Sequence, residues 1–351
     1  MIHLEKKKYY KNLDFLRAIA VLMTVFAHYS PIEIPYLWYG VSIFFSISGF
    51  LITEILLKKK EGDFEVLQIL KNFYIRRSLR LFPLYYSFIF LFWALLHFAN
   101  LHLWQDRFNY YFLFYAPNFL IAKISLGEAM GFAHLWSLGV EEQFYLFWPV
   151  ILLFIPRKGI LLTILFFISV GIYFNTARFN TSMDMHLMPF SHFHTLCGGA
   201  LIAVLKIYYN RMFLYIAQIR HKLLIIAFIS LLYFLFFTDL TKISLSFFQA
   251  ISLAFFTSVL VLYHLFPFHI KFTQNRFFSF LLYTGKISYG LYLVHMPIPY
   301  FIRAIFTKIL PNYQLHEYVV VLISLIFSFI AASISHKYFE SYFIRLKDKF
   351  E

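Results

Sequence analysis

The chain has 351 residues, of which 61% are hydrophobic, 23% are aromatic and only 14% are charged. Soluble domains carry about 25% charged residues, so this composition indicates an integral membrane protein. The net charge of +14 does not indicate a nucleic-acid partner, because the cations lie between apolar segments, where they set topology and attract anionic lipids. The single cysteine, Cys197, excludes an intrachain disulfide and a multi-cysteine metal site.

The hydropathy pattern predicts an all-α, polytopic membrane bundle of about ten transmembrane helices. Each predicted span can cross about 30 Å of hydrocarbon, several of them tilted or buried among neighbours. The predicted spans are 13–31, 40–57, 81–99, 136–155, 159–175, 189–206, 222–238, 245–263, 286–303 and 317–337. Pro117 and Asn118 interrupt the apolar segment 110–122, which we interpret as re-entrant or interfacial. We expect residues 1–351 to form one membrane domain with no appended soluble domain.

The distribution of cations predicts that both termini lie in the cytoplasm (N-in, C-in). Segments assigned to the cytoplasmic side hold most of the lysines and arginines; they are 6–11, 58–80, 157–158, 206–222, 271–276 and 337–349. The outer segments hold fewer: Arg107, Lys123, Arg178, Lys242, Arg303 and Lys308. Because Arg17 interrupts the first apolar stretch and no cleavage site follows it, we expect a retained anchor rather than a signal peptide.

The first predicted helix carries two ionisable residues, Arg17 and His28, in the run LDFLRAIAVLMTVFAHYS. Eleven positions are about three helical turns, so both residues share one face about 16 Å apart. A charge at bilayer depth costs about 2.5–3.5 kcal/mol, and such residues usually serve a function. His28 could exchange protons near neutral pH, or anchor the helix end at the interface. Arg17 could serve the site, or simply pair with Asp14 three positions earlier.

Three arginines precede the third predicted span in YIRRSLRLFPLYY: Arg76, Arg77 and Arg80. Charge alone favours a topogenic flank. The alternative is a phosphate site, because guanidinium groups bind phosphates bidentately, as a diphosphate requires.

The fourth span begins with HLWSLGVEEQFYLFWP and has a polar stripe at helical spacing. The stripe contains His134, Ser137, Glu141, Tyr145 and Trp148. Glu142 lies about 100° round the helix from Glu141. Two adjacent acids at membrane depth indicate a functional role for at least one of them.

Two further spans supply candidate residues for a substrate channel. In the second span, FFSISGFLIT, small residues such as Ser48 favour close helix packing, although a channel needs the same smallness. In the ninth, ISYGLYLVHMPIP, Tyr292 and His295 share a stripe, and His295 could equally be a hydrogen-bonded core residue. With His134, these residues form the predicted channel.

The sequence lacks the motifs of metal-dependent enzymes and of ATP-driven pumps. We find no HExxH element and no close cluster of histidine and carboxylate residues, so we expect no metal site. A glycine-rich phosphate loop is also absent, which argues against an ATP-driven pump.

Together these segments resemble the acyltransferase 3 family of membrane acyltransferases. The resemblance rests on four blocks in the family's order: LDFLRAIAVLMTVFAH, FFSISGFLIT, HLWSLGVEEQFY and ISYGLYLVHMPI, with RRSLRLFPLYY as a looser match. It extends from about residue 10 to residue 345. Phe15 stands where a glycine is common, and Glu340-Ser341-Tyr342 replaces the usual Glu-Arg-Pro.

The resemblance implies transfer of an acyl group, most often acetyl, from cytoplasmic acyl-CoA to a sugar hydroxyl, commonly across the membrane. Acyl-CoA would be the donor co-substrate with no permanently bound cofactor, because a thioester is already activated. The implied site residues are His28, Arg17, Glu141 and Glu142 for catalysis, and Arg76, Arg77 and Arg80 for the donor phosphates. We expect His28 to act as general base oriented by Glu141, or as a nucleophile through an acyl-imidazole.

The favoured hypothesis is therefore an O-acetyltransferase of a bacterial inner (plasma) membrane. Its acceptor would be a lipid-linked or polymeric surface glycan, such as lipopolysaccharide O-antigen, capsule or exopolysaccharide. Membrane lipids would be its other partners. The alternative is a transporter or flippase for lipid-linked sugars, whose polar residues would line a permeation route without chemistry. A structural scaffold would leave Arg17 and the Glu141–Glu142 pair unexplained.

Overall fold

Every regular element that the computed structural model describes is a helix. It describes residues 9–30, 32, 34–62, 64–98, 108–124, 130–177, 185–236, 243–266, 275–309 and 317–350. The α-helices are α1 (Lys11–Tyr29), α2 (Tyr39–Lys60), α3 (Val66–Phe98), α4 (Phe108–Leu113), α5 (Pro117–Ile124), α6 (Leu135–Phe154), α7 (Arg157–Ala177), α8 (Phe193–Tyr208), α9 (Asn210–Gln218), α10 (Arg220–Phe236), α11 (Ile243–His264), α12 (Arg276–Lys286), α13 (Ser288–Val294), α14 (Pro297–Ile309), α15 (Glu317–Ser335) and α16 (Ser341–Leu346). Short 3₁₀ turns and one π-helical turn (His336–Glu340) connect or extend them.

Six helical segments of the described chain are long and apolar enough to span a membrane, which confirms an integral membrane protein. They are Tyr36–Lys60, Val66–Leu95, Arg157–Ala177, Pro189–Tyr208, Ser246–His264 and Glu317–Lys349. A seventh arises if the bent pair Asn210–Gln218 and Arg220–Phe234, which meet at 72°, is one broken span. Large apolar side chains on these helices are exposed, among them Leu162, Phe166, Leu322 and Phe327, as contact with lipid requires.

Three of the ten predicted spans are not among these segments. Helices α1 and α6 carry the ionisable residues of the predicted site, and the predicted span 286–303 is broken between α13 and α14 at His295 and Met296. The count of about ten spans and the N-in, C-in orientation therefore stay predictions.

Helix α3 corrects the expectation of a loop across residues 58–80. It runs without interruption from Val66 to Phe98, with Pro83 inside it, so Arg76, Arg77 and Arg80 lie on a helix. A proline removes one helical hydrogen bond, but here Leu81 and Leu84 on either side are buried in the core, and this packing offsets the loss. The segment 110–122, predicted to be re-entrant or interfacial, forms the two short helices α4 and α5.

Helices α2 and α8 pack with their backbones in contact. A methyl group added at Gly49 of α2 would collide with the Leu196 carbonyl, and one at Gly199 of α8 would collide with the Ser46 carbonyl. Small residues at reciprocal positions let two backbones approach, which is how membrane helices gain van der Waals contact. The packing interpretation of FFSISGFLIT is therefore confirmed for Gly49.

We expect Gly199→Ala to destabilise the protein, because the added methyl group meets main-chain atoms of α2 that cannot rotate away. Overpacking of this kind costs about 1–3 kcal/mol. Thermal unfolding in detergent, followed by size-exclusion chromatography, measures the effect. Gly159→Ala is the matched control, because its methyl group would meet only the flexible Ile155 side chain and the ring of Pro156. Equal melting temperatures for the two variants would contradict this account of the α2–α8 contact.

Candidate active site

The candidate residues gather at two opposite ends of the bundle. Arg17, near the start of α1, lies with Arg77 and Arg80 of α3, and we call this the arginine end. His28, near the other end of α1, lies with His134 and His295, and we call this the histidine end. The two ends are about 16 Å apart along α1.

At the arginine end, Arg17 donates to Asp14 at 2.7 Å, so the predicted pair is confirmed. Arg17 and Arg77 both lie near enough to Arg80 to interact with its charge, and Arg80 itself is exposed. Arg76 points elsewhere and donates to the main-chain carbonyl of Phe350 at 3.2 Å. Of the three arginines predicted to bind the donor, the structure thus brings two together with Arg17.

Glu141 belongs to the arginine side of the bundle. Its Oε1 accepts hydrogen bonds from Ser48 of α2 and from Tyr145, one turn further along α6. The guanidinium of Arg77 lies 3.7 Å from the centre of the Tyr145 ring, with Nη2 3.9 Å from Glu141 Oε1. The prediction that Glu141 orients His28 is therefore wrong for this structure, because the carboxylate is bonded to α2 and α6 residues instead.

Between the two ends, polar contacts link α6 to α13. Tyr292 and Ser137 share a hydrogen bond, and both hydroxyls lie 3.0 Å from the His134 carbonyl. Glu141 interacts electrostatically with Tyr292, so this contact continues the polar path from the arginine side. The predicted α6 stripe thus faces the interior.

At the histidine end, backbone carbonyls determine which ring nitrogen of each imidazole carries the proton. His28 Nδ1 lies 2.8 Å from the Thr24 carbonyl and 3.2 Å from His295 Nε2. Because a carbonyl can only accept, His28 Nδ1 carries the proton and its Nε2 keeps a lone pair. His295 Nδ1 lies 2.5 Å from the Tyr292 carbonyl, so by the same reasoning its Nε2 is an acceptor for His28.

His134 is held in the same manner. Its Nε2 lies 3.1 Å from the Leu293 carbonyl and must donate, while the buried Nδ1 makes no hydrogen bond. His28 is thus flanked by two neutral imidazoles whose protons are given to carbonyls of α13.

A cavity of about 580 Å³ opens at the histidine end, and His28, His134 and Tyr292 line it. Sequence reasoning missed much of its wall, above all three histidines that precede or begin α8: His186, His192 and His194. The rings of His186 and His192 lie 4.9 Å apart, and each lies about 5 Å from Trp136. The available signal was the run HLMPFSHFH, in which three histidines occur within nine residues.

These three histidines therefore lie close together in the structure. Within the described residues they still form no group arranged to hold a metal ion. His192 Nε2 lies 2.6 Å from the His186 carbonyl, so this ring too is held by the main chain.

A helical membrane protein with an imidazole in a cavity at one end and arginines at the opposite end matches the class of membrane acyltransferases. A family model described as an acyltransferase domain matches residues 10–335. The chain belongs to the acyltransferase 3 family.

Among curated proteins, the chain is 31% identical to the peptidoglycan O-acetyltransferase OatA of Listeria monocytogenes, over 98% of this chain and 58% of that protein. It is 32% identical to the putative peptidoglycan O-acetyltransferase YrhL of Bacillus subtilis, over 56% of this chain and 29% of that protein. A putative O-acetyltransferase of Staphylococcus aureus is 40% identical over 42% of this chain and 25% of that protein. The chain therefore spans less than two thirds of these relatives. No solved structure gave a match.

The two ends should open to opposite faces of the membrane. Trp38, in the wall of the histidine-end cavity, is 43% exposed, and Glu65, before α3, is exposed beyond the arginine end. Because Cys197 is fully buried, background labelling should be low. In sealed vesicles we expect a membrane-impermeant maleimide to label Trp38→Cys from one side only and Glu65→Cys from the other. Labelling of both from the same side would contradict the arrangement.

Proposed function

We propose that this protein is an O-acyltransferase that moves an acyl group, most simply acetyl, from acyl-CoA to a sugar hydroxyl in the histidine-end cavity. The observation that carries the proposal is the state of His28. Its Nδ1 proton is held by the Thr24 carbonyl, and its Nε2 lone pair makes no hydrogen bond in the described structure, while the ring lines the cavity. An imidazole held in this way is ready to take a proton from a bound hydroxyl.

In the proposed reaction, the proton of the acceptor hydroxyl and both changes in bonding are accounted for. His28 Nε2 takes the proton of the acceptor hydroxyl as its oxygen attacks the thioester carbonyl. The carbon–sulfur bond then breaks, the ester remains on the sugar, and the imidazolium returns the proton to the thiolate of CoA. The new charge on His28 is shared with the Thr24 carbonyl and the lone pair of His295.

The arginine end supports binding of the donor. Arg80 and Arg17 offer two guanidinium groups that could pair with the phosphates of acyl-CoA, with Arg77 further inside. Since CoA is cytoplasmic, this assignment requires the arginine end to face the cytoplasm, in agreement with the N-in orientation predicted from the cations. We accordingly propose the inner (plasma) membrane as its location.

The wall of the histidine-end cavity supports a saccharide acceptor. Trp38 and Trp136 offer flat apolar faces for a sugar ring, and Asn175 and Gln249 offer amide groups for its hydroxyls. Two relatives are named as enzymes of peptidoglycan. We propose a cell-surface glycan as the acceptor, which includes peptidoglycan beside the polysaccharides expected from the sequence.

His28→Ala should abolish acyl transfer, a loss of about 10²- to 10⁴-fold, because the variant lacks the imidazole that is proposed to take the proton of the acceptor hydroxyl. The measurement is incorporation of labelled acetate from acetyl-CoA into the glycan fraction of membrane vesicles.

His264→Ala is the matched control for His28→Ala. His264 also ends a helix with its Nδ1 bonded to the carbonyl four residues earlier, at 2.7 Å, but it lies on α11 beside Phe15, away from the cavity. Wild-type incorporation by His28→Ala would refute the proposal, and transport of unmodified glycan by the wild type without acetate incorporation would favour the flippase.

We expect His295→Ala to lower kcat about 10- to 100-fold while KM for both substrates changes little, because His295 orients the His28 ring without lining the cavity. Initial rates with each substrate varied in turn separate kcat from KM. A rise in KM with unchanged kcat would assign His295 to substrate binding, contrary to this expectation.

A stable acyl-imidazole trapped on His28 would favour the nucleophilic mechanism over the general base.

A further inference from the structure

One carboxylate oxygen inside the bundle has no partner. Glu142 Oε1 is buried and accepts no hydrogen bond. Four tyrosines lie near enough to interact with its charge: Tyr85, Tyr86, Tyr115 and Tyr289. A buried carboxylate oxygen without a donor is costly, so its persistence requires a reason.

None of these tyrosines satisfies Glu142, because each hydroxyl proton is given to another oxygen. The bonds run from Tyr85 to the Phe112 carbonyl (3.2 Å), from Tyr86 to the Leu113 carbonyl (2.8 Å), from Tyr289 to the Leu81 carbonyl (2.9 Å) and from Tyr115 to the Tyr289 oxygen (3.4 Å). The tyrosines therefore lie near the acid but leave its oxygen open to another donor.

A buried donor without an acceptor lies on the same side of the bundle. Arg77 Nε makes no hydrogen bond, although the guanidinium stacks on Tyr145 and its Nη2 lies 3.9 Å from Glu141. Arg77 and Glu142 interact electrostatically but form no ion pair within 4 Å. One acceptor and one donor are thus left open in the same region.

A secondary amide complements this pair, since it offers one N–H and one carbonyl oxygen. We propose that Glu142 accepts the N–H, and Arg77 Nε binds the carbonyl, of a secondary amide of the substrate. The inference rests on the proposed function, in which two substrates carry such groups: the pantetheine arm of acyl-CoA and the N-acetyl groups of many sugars. Arg77 lies one turn from Arg80 at the arginine end, so the donor arm is the source that the geometry favours.

Competition binding on the purified full chain tests the inference without any acceptor. Labelled acetyl-CoA is displaced either by S-acetylpantetheine or by its analogue with both amide N–H groups replaced by ester oxygens. The wild type should bind the amide compound about 10-fold more tightly than the ester, because the ester has no N–H for the buried Glu142 oxygen to accept. In Glu142→Leu this ratio should fall to about one, and in Glu142→Gln, which keeps an acceptor oxygen, part of it should return.

The ratio of amide to ester binding in the wild type tests the inference even if a variant fails to fold. All variants are first checked for folding by size-exclusion chromatography. Equal binding of the two compounds by the wild type would overturn the inference. So would a ratio that Glu142→Leu leaves unchanged, or displacement of acetyl-CoA by an N-acetylglucosamine oligosaccharide, which would assign the site to the acceptor. Failure of acetyl-CoA itself to bind would instead refute the donor in the proposed function.

Discussion

Polar groups inside a membrane bundle must be satisfied by the protein, because the hydrocarbon supplies no water, and this requirement organises the whole site. The two ends meet it differently. At the arginine end, charges pair, as Arg17 does with Asp14. At the histidine end, imidazoles bond to the carbonyls of Thr24, Tyr292 and Leu293, and none of the described residues that line the cavity is an aspartate, glutamate, lysine or arginine. The contacts that satisfy the backbone carbonyls are therefore the same contacts that hold the imidazoles proposed for catalysis.

Helix α2 packs against α8 on one side and makes polar contacts with α6 on the other. Gly49 faces α8, where the absence of a side chain lets the backbones touch, while Ser48, one residue earlier and about 100° away, faces α6 and bonds Glu141. Further along, Thr53 accepts a hydrogen bond from Trp148 at 2.9 Å. The packing and channel interpretations of this block are thus compatible, because adjacent residues serve different neighbours. A helix held tightly on one side can present a rigid polar face on the other.

Local periodicity accounts for what could be predicted from the sequence. The α6 stripe was predicted from a 3.6-residue period, and His134, Ser137, Glu141, Tyr145 and Trp148 all make inward contacts. Partners across the bundle could not be predicted this way. Glu141 could reach either end from its place on α6, and only the packing of α2 and α3 assigns it to Ser48 and Arg77. Two of the three histidines of HLMPFSHFH, His186 and His192, precede α8 in 3₁₀ turns, where no helical period marks a face.

Among the described residues no carboxylate is bonded to His28, and this has a physical advantage inside a membrane. A carboxylate would make the imidazole a stronger base, but it would also hold a charge at bilayer depth throughout the resting state, at a cost of several kcal/mol unless it is paired. Neutral neighbours avoid that cost. His295 turns a lone pair towards the His28 proton, and His134 leaves its Nδ1 open beside the cavity. In the proposed reaction, such groups would stabilise a positive charge only while it exists, as the hydroxyl proton is transferred. The substrates of that reaction would supply the opposite charge, first on the thioester oxygen and afterwards on the departing thiolate, so the site would become charged only when both are bound.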